Sequence, residues 1–179
     1  MILTAKFETP IGEMMAGATG DGLCLLEFTD KERHIKELGD LKHLLKSDIQ
    51  DGENIFIKET EKQLKEYFDG ERRKFNLPLI IPGSEFQKSV WIELLNISFG
   101  TTRSYKEQAE AIQMPDSARA VARANGMNRI AIIIPCHRVI GSGGDLSGYA
   151  GGLTRKKWLL VHERKYSGKE GLNELPFKG

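Results

Sequence analysis

Cysteine is scarce in this 179-residue chain, which contains only Cys24 and Cys136. Two cysteines cannot build a disulfide framework, so we expect both thiols to be free in a reducing compartment. No apolar run approaches the roughly 20 residues that a membrane-spanning helix needs, and no basic segment followed by an apolar core opens the chain. The sequence therefore predicts a cytoplasmic protein without a secretory signal or a membrane partner.

A strong excess of charge is also lacking, because 26 basic residues face 25 acidic ones and leave a net charge of +1. This balance hides an asymmetry. Residues 84–179 carry 14 basic and 9 acidic side chains, a net charge of +5, whereas residues 1–83 carry 12 and 16, a net charge of −4. The second half is the better candidate for an anionic partner, although a solvated basic surface explains the charge equally well.

The first half of the chain has the pattern of a small antiparallel sheet with helices. Residues 1–30 alternate apolar and polar side chains between glycine-rich turns, as β-strands do. Helical spacing predicts a helix over Asp51–Phe68, and an apolar run predicts a strand over Phe75–Ile81. Pro82 and Gly83 then interrupt the chain, so we expect a first domain at residues 1–83.

Single reactive side chains in this first half have simple structural interpretations. Cys24 lies in the apolar run Leu23–Phe28 and is expected to be a buried core thiol. His34 and His43 lie in a charged, helical segment and are expected on the surface. No cysteine or histidine accompanies Cys24 at ligand spacing, so no metal site is predicted.

The second half, residues 84–179, is expected to be a second domain that begins and ends with helices. Ser84 and Gln87 match a capping box, and the helix that follows has Trp91 on its core side. Residues 154–165 have the composition of a C-terminal helix.

A helix-turn-helix pattern lies between these two helices. Ser104 and Glu107 match a second capping box for a helix over residues 105–112, and Asp116 can cap a further helix over residues 117–125. Alanines give this further helix a slim surface that can approach a nucleic-acid backbone closely. A packed helix pair with ordinary surface arginines is the alternative.

A cysteine and a histidine stand side by side within the apolar run 132–140, which we read as a strand ended by a proline. A thiolate is a nucleophile, and histidine is its usual proton acceptor. Neighbours in an extended chain point to opposite sides, so Cys136 and His137 can cooperate only through a turn or a bridging water. A histidine base also needs an acid that fixes its tautomer, and Asp145 and Glu163 are both candidates.

Six glycines follow in residues 141–152, around Tyr149. No phosphate-binding loop pattern is present. The composition favours a flexible loop whose backbone can approach a flat ligand, with a mobile linker as the alternative.

Together these motifs resemble the 6-O-alkylguanine-DNA alkyltransferase family, also called methylated-DNA–protein-cysteine methyltransferases. The resemblance is strongest over residues 86–163, and the first half resembles the family only in layout. It rests on Ser104-Tyr105, Ala118-Arg119-Ala120-Val121, Asn128, Pro135-Cys136-His137-Arg138-Val139, Gly148-Tyr149-Ala150-Gly151-Gly152, Leu159-Leu160 and Glu163. It implies an α+β protein with a ribonuclease-H-like N-terminal domain and a mostly helical, winged helix-turn-helix-like C-terminal domain that binds DNA and carries catalysis.

The resemblance also implies direct-reversal DNA repair. Such a protein, acting as a monomer on double-stranded DNA, moves an alkyl group from 6-O-alkylguanine or 4-O-alkylthymine to its own cysteine. The thioether formed is chemically stable, so each chain is expected to act once. No cofactor and no metal are implied.

Roles in the reaction are implied for four residues. Cys136 is the alkyl acceptor, and His137 takes the thiol proton through a water molecule. Glu163 orients His137, and Tyr149 resembles the proton donor to the departing guanine.

Roles in substrate binding are implied for five more. Tyr105 presses on the phosphate of the target nucleotide, and Arg119 fills the space left by the extruded base. Asn128 is the hinge between the recognition helix and the active-site strand. The carbonyl of the acceptor cysteine and the amide of Val139 or one of its neighbours read the guanine edge. Gly151 belongs to the loop that lines the base pocket.

One departure and three alternatives remain. Ala150 stands where some relatives carry a serine, which puts a side-chain contact at that position in doubt. A non-catalytic protein that binds alkylated DNA would lack the acceptor cysteine. A Cys-His-Glu hydrolase would leave Tyr105, Arg119 and Asn128 unexplained, and a sequence-specific regulator fits poorly with so few arginines on the candidate helix.

Overall fold

The computed structural model describes residues 1–168. The chain divides into two compact units, the first comprising Met1–Pro82 and the second beginning at Gly83. Within the described residues, no helix is both long and apolar enough to cross a membrane.

The first unit is built on a four-stranded sheet with the order β3-β2-β1-β4. The strands are β1 (Ile2–Phe7), β2 (Met14–Ala18), β3 (Leu23–Phe28) and β4 (Ile49–Asp51). The first three strands are antiparallel as predicted, whereas β4 pairs parallel with β1. The sheet is therefore mixed, because helix α1 (Arg33–Leu44) carries the chain back across it before β4 begins.

Helix α2 (Ile55–Phe68) begins four residues later than predicted, because the chain over Ile49–Asp51 is used as a strand. Asn54 caps this helix, since its side-chain oxygen accepts hydrogen bonds from the first backbone amides. The strand predicted over Phe75–Ile81 is wrong. Only an isolated bridge from Leu79 to β3 forms there, because Pro78 has no amide to donate to a ladder.

Three side chains of the first unit test the predicted burial. Cys24 is fully buried, as predicted, and burial raises the pKa of its thiol to about 12. His34 is buried rather than on the surface, because its ring lies 2.7 Å from the Lys31 carbonyl oxygen, whereas His43 is exposed. No group of side chains suited to a metal ion occurs among residues 1–168.

The second unit is mostly helical. Its helices are α3 (Glu85–Leu94), α4 (Tyr105–Ala111), α5 (Ala118–Gly126) and α6 (Leu153–Tyr166), and its two short parallel strands are β5 (Arg103–Ser104) and β6 (Val139–Ile140). Both predicted capping boxes form, at Ser84 and at Ser104. Asp116 does not cap α5, since Ser117 occupies that position without a side-chain cap.

Helices α3, α4 and α5 form one packed group that contains the helix-turn-helix. Trp91 of α3 is buried as predicted and donates from its indole nitrogen to the Ala124 carbonyl of α5, 2.8 Å away. Gln108 of α4 is also buried and donates to the Val90 carbonyl. The first bond joins α3 to α5 and the second joins α4 to α3, and Arg119 on α5 faces solvent.

Candidate active site

The apolar run before the reactive cysteine is not a strand. Residues 131–134 form turns, and Cys136–Arg138 form a single turn of 3-10 helix. The amide of Ile134 donates to the Ile130 carbonyl, and Ile132 has a φ of +69°, which is unusual for a β-branched residue. The run is continuously apolar because it is buried on all sides, and that pattern does not distinguish a strand from a coiled segment.

Asn128 ties this coiled segment to the end of α5. Its side-chain oxygen accepts from the Ile130 amide at 2.9 Å. Its side-chain nitrogen donates to the Ile134 carbonyl at 2.9 Å and to the Cys136 sulfur at 3.3 Å. A donor at that distance favours the charged form of the thiol, so Asn128 both shapes the segment and supports a thiolate.

His137 and Arg138 share the carboxylate of Glu163, which α6 delivers into the core. His137 Nε2 lies 2.6 Å from Glu163 Oε1. Arg138 donates from Nε to Oε2 at 2.9 Å and from Nη2 to Oε1 at 3.0 Å. The Gly100 amide also donates to Oε2, at 3.2 Å. Of the two acids considered from sequence, Glu163 rather than Asp145 therefore contacts the histidine.

The electrostatics of this triad favour a neutral histidine beside an ionised glutamate. Burial by itself would raise the pKa of Glu163. The adjacent His137 and Arg138 have the larger effect and hold the pKa of Glu163 well below its usual range. Burial lowers the pKa of His137, and the attraction of Glu163 only partly offsets this. The buried Nδ1 of His137 has no hydrogen-bond partner among the described residues. Since Nε2–H is held by Glu163, Nδ1 is the atom available to accept a proton.

Lys156 is a further buried group at this site, and sequence reasoning missed it. Its side-chain nitrogen donates to the Val139 carbonyl at 2.6 Å and to the Ser147 carbonyl at 2.8 Å. Burial lowers the pKa of Lys156 to about 8, and the nearby Cys136 thiol opposes that shift. The available signal was its helical spacing with Glu163, which places both side chains on the inner face of α6.

The glycine-rich loop is anchored rather than a free linker. The hydroxyl of Tyr105 donates to the Ser147 carbonyl at 2.9 Å, the same oxygen that Lys156 contacts. Tyr149 is buried, and its ring centroid lies 6.5 Å from that of His137. Gly151 is also buried, and its carbonyl accepts from the Arg155 side chain.

One group expected to contact the base is already hydrogen-bonded within the chain. The amide of Val139 donates to the Cys136 carbonyl, and the Val139 carbonyl accepts from Lys156. That amide is engaged within the chain, so reading a guanine edge with it would require this bond to be exchanged. Arg119 has none of these contacts, since it lies on the exposed face of α5.

The fold and the site together define a class of protein. It is a two-unit α+β protein in which a buried cysteine, supported by an amide donor and a histidine–glutamate pair, sits directly behind a helix-turn-helix. A nucleophile in this position suits covalent chemistry on a group presented by bound nucleic acid.

Comparison with known proteins gives the family. The 6-O-methylguanine DNA methyltransferase ribonuclease-like domain matches residues 2–81, and the DNA-binding domain of the same name matches residues 85–165. The chain therefore belongs to the 6-O-methylguanine DNA methyltransferase family.

Relatives and solved structures agree with this assignment over nearly the whole chain. The chain is 44% identical to a methylated-DNA–protein-cysteine methyltransferase of Methanosarcina acetivorans, over 89% of this chain and 96% of that protein. It is 43% identical to the Mycobacterium leprae protein of the same name, over 92% and 93%. The crystal structure of Mycobacterium tuberculosis OGT in complex with DNA matches with a TM-score of 0.80 at 38% identity, covering 92% and 94% of the two chains.

Proposed function

We propose that this protein repairs alkylated DNA by direct reversal, transferring the alkyl group of 6-O-alkylguanine, and also of 4-O-alkylthymine, to Cys136. The observation that carries the proposal is the buried Cys136 sulfur, 3.3 Å from the Asn128 amide nitrogen and beside a histidine with an open proton-accepting nitrogen. Membership of the methyltransferase family supports the same chemistry.

The reaction begins with loss of the Cys136 proton. His137 Nδ1 accepts this proton through a water molecule, while its Nε2–H stays bonded to Glu163. The fixed charge of Arg138 keeps Glu163 ionised, so the imidazolium that forms is stabilised at once.

The thiolate then attacks the alkyl carbon. The S–C bond forms as the C–O bond breaks, and the electron pair stays on the departing base. We assign the proton that neutralises this base to the hydroxyl of Tyr149, which recovers it from the imidazolium, so the thiol proton ends on the base. The thioether has no leaving group for a return step, so each chain acts once and needs no cofactor.

DNA binding is assigned to the second unit, from residue 84 onward. An alkylated base must leave the stack to meet a buried sulfur, at a cost of about a few kcal/mol. We assign to Arg119, on the exposed face of α5, the filling of the vacated space, and to Tyr105 the contact with the phosphate. Because the Tyr105 hydroxyl bonds to Ser147 in the free protein, phosphate contact requires that bond to be exchanged.

The protein is further proposed to act as a monomer in the cytoplasm. Its free cysteines suit a reducing compartment, since Cys136 must remain a thiol to accept an alkyl group.

Mass spectrometry tests this function. The protein is incubated with an excess of duplex DNA that contains a single 6-O-methylguanine, and its tryptic peptides are weighed. We expect one added methyl group per chain, on the Cys136 peptide, and none for Cys136→Ser. Methyl transfer beyond one equivalent would contradict the single-use mechanism, and lesion binding without transfer would favour a non-catalytic recognition protein.

A further inference from the structure

Asn125 is a buried amide without a partner. It lies in the last turn of α5, is only 3% exposed, and neither its side-chain nitrogen nor its side-chain oxygen has a hydrogen bond within the described residues. Buried side-chain polar atoms are almost always bonded, so such a group calls for a physical reason. Asn128 makes the contrast clear, because both polar atoms of its equally buried side chain are bonded.

Asn125 lies one helical turn before Asn128, the residue that contacts the reacting sulfur. Asn125 precedes Asn128 by three residues, and the Asn128 amide donates to the Asn125 carbonyl at 3.2 Å. Side chains three apart on a helical turn are neighbours, with about 5–6 Å between their Cβ atoms. The Asn128 side chain contacts the Cys136 sulfur, so the unpaired amide of Asn125 lies one helical turn from a residue that touches the reacting atom.

Small side chains share this side of α5. Ala118 and Ala122 share the helix face of Asn125 at helical spacing, and both are small and only partly buried. The adjoining face carries the exposed Arg119.

We propose that Asn125 is a specificity residue that hydrogen-bonds the extruded guanine, an inference that rests on the proposed function. Alkylation at O6 removes the N1 hydrogen, so the base offers a ring nitrogen as acceptor and its 2-amino group as donor. An amide supplies one donor and one acceptor in one plane and matches that pair. The 2-amino group has two hydrogens, so it bonds to Asn125 and to the Cys136 carbonyl together.

This role explains why an unpaired polar group is retained. In the free protein the amide weakens the fold, because it is buried without a hydrogen bond. The bonds form only when the base arrives. An apolar residue of similar size at this position should therefore leave the protein as stable or more stable, and make it slower on its substrate.

Single-turnover kinetics on two duplexes test the proposal. One duplex contains a single 6-O-methylguanine, and the other a single 6-O-methylhypoxanthine, which is the same ring without the 2-amino group. The variant is Asn125→Leu, and the control is Asn96→Leu, which changes an exposed asparagine of the same unit. The midpoint of thermal unfolding, Tm, is measured for each protein.

The wild type should react about tenfold more slowly when the 2-amino group is removed, which is the expected effect of one lost hydrogen bond in a buried site. Asn125→Leu should be about tenfold slower than wild type on 6-O-methylguanine and should respond several-fold less to loss of the amino group. Its Tm should equal or exceed that of the wild type, and Asn96→Leu should behave as wild type.

Other results separate the failure of this inference from that of the proposed function. If Asn125→Leu keeps the wild-type ratio of rates on the two duplexes, the inference is overturned, whether or not both rates fall. A lower Tm with both rates reduced in parallel would show a structural role instead. If the wild type transfers no methyl group to Cys136 from either duplex, the proposed function fails, and the inference fails with it.

Discussion

The Glu163→Gln substitution is the sharpest test of how the candidate site is held together. The wild-type carboxylate oxygens receive contacts from His137 Nε2, from Nε and Nη2 of Arg138, and from the Gly100 amide. Glutamine has one acceptor oxygen, and its side-chain nitrogen can only donate. Whichever way the amide is turned, one set of donors faces an N–H group, and the buried Arg138 loses its counter-charge.

The expected cost follows from that geometry. Removing one partner of a buried ion pair costs about 3–5 kcal/mol, against a total stability of about 5–15 kcal/mol for a protein. For a chain of this length, a loss of that size lowers the unfolding temperature by about 6–20 °C. Scanning calorimetry of the whole chain at pH 7 measures this shift.

A double substitution separates the ion pair from general damage. Arg138→Met combined with Glu163→Leu removes both charges, so it should be more stable than either single variant. Two results would refute this account of the site. One is a Glu163→Gln variant whose free energy of unfolding falls by less than about 1 kcal/mol, and the other is a double variant that is no more stable than the single variants.

The pH dependence of Glu163→Gln has a definite sign. The folded protein holds the pKa of Glu163 far below its unfolded value of about 4.5, so its stabilising contribution is present above that pH and is lost as the pH falls. The stability gap between wild type and Glu163→Gln should therefore narrow in acid.

Two further substitutions test other buried charges. Lys156→Met removes a cation next to Cys136, so alkylation of Cys136 by iodoacetamide at pH 7 should slow. The midpoint of the pH dependence of this rate should move upward. An unchanged midpoint would exclude electrostatic support of the thiolate by Lys156. Burial raises the pKa of Glu27 to about 7, despite Arg33 and with Glu37 nearby, so the first unit should lose stability as the pH rises from about 4.5 to 7. Urea unfolding at pH 5 and pH 8 measures the free energy of unfolding, which should fall between these pH values in the wild type but not in Glu27→Gln. A Glu27→Gln variant that is less stable than the wild type at pH 8 would contradict this expectation.

Local chemistry was readable from the sequence. The capping boxes at Ser84 and Ser104 predicted the starts of α3 and α4, because a cap depends only on residues within one turn. The apolar run before Cys136 was misread as a strand for a related reason. Its continuous hydrophobicity indicates burial, but burial alone does not determine the backbone conformation. The positive φ of Ile132 therefore could not be predicted from this pattern.

Contacts between distant parts of the chain were decided by tertiary structure. The sequence left both Asp145 and Glu163 as possible partners of His137. The packing of α6 brings Glu163, 26 residues further along the chain, into contact with His137. The Ser147 carbonyl shared by Tyr105 and Lys156 had no counterpart in any local motif, and only helical spacing with Glu163 pointed to the burial of Lys156.

The sequence by itself therefore determined the reactive side chains, the helix starts and the family resemblance, since these depend on residue type and short spacing. Only the tertiary structure decided which donor meets which acceptor, and which buried amide is left unpaired. The physical reason is that hydrogen-bond pairing in a core depends on distances between segments, and folding sets those distances for the whole unit at once.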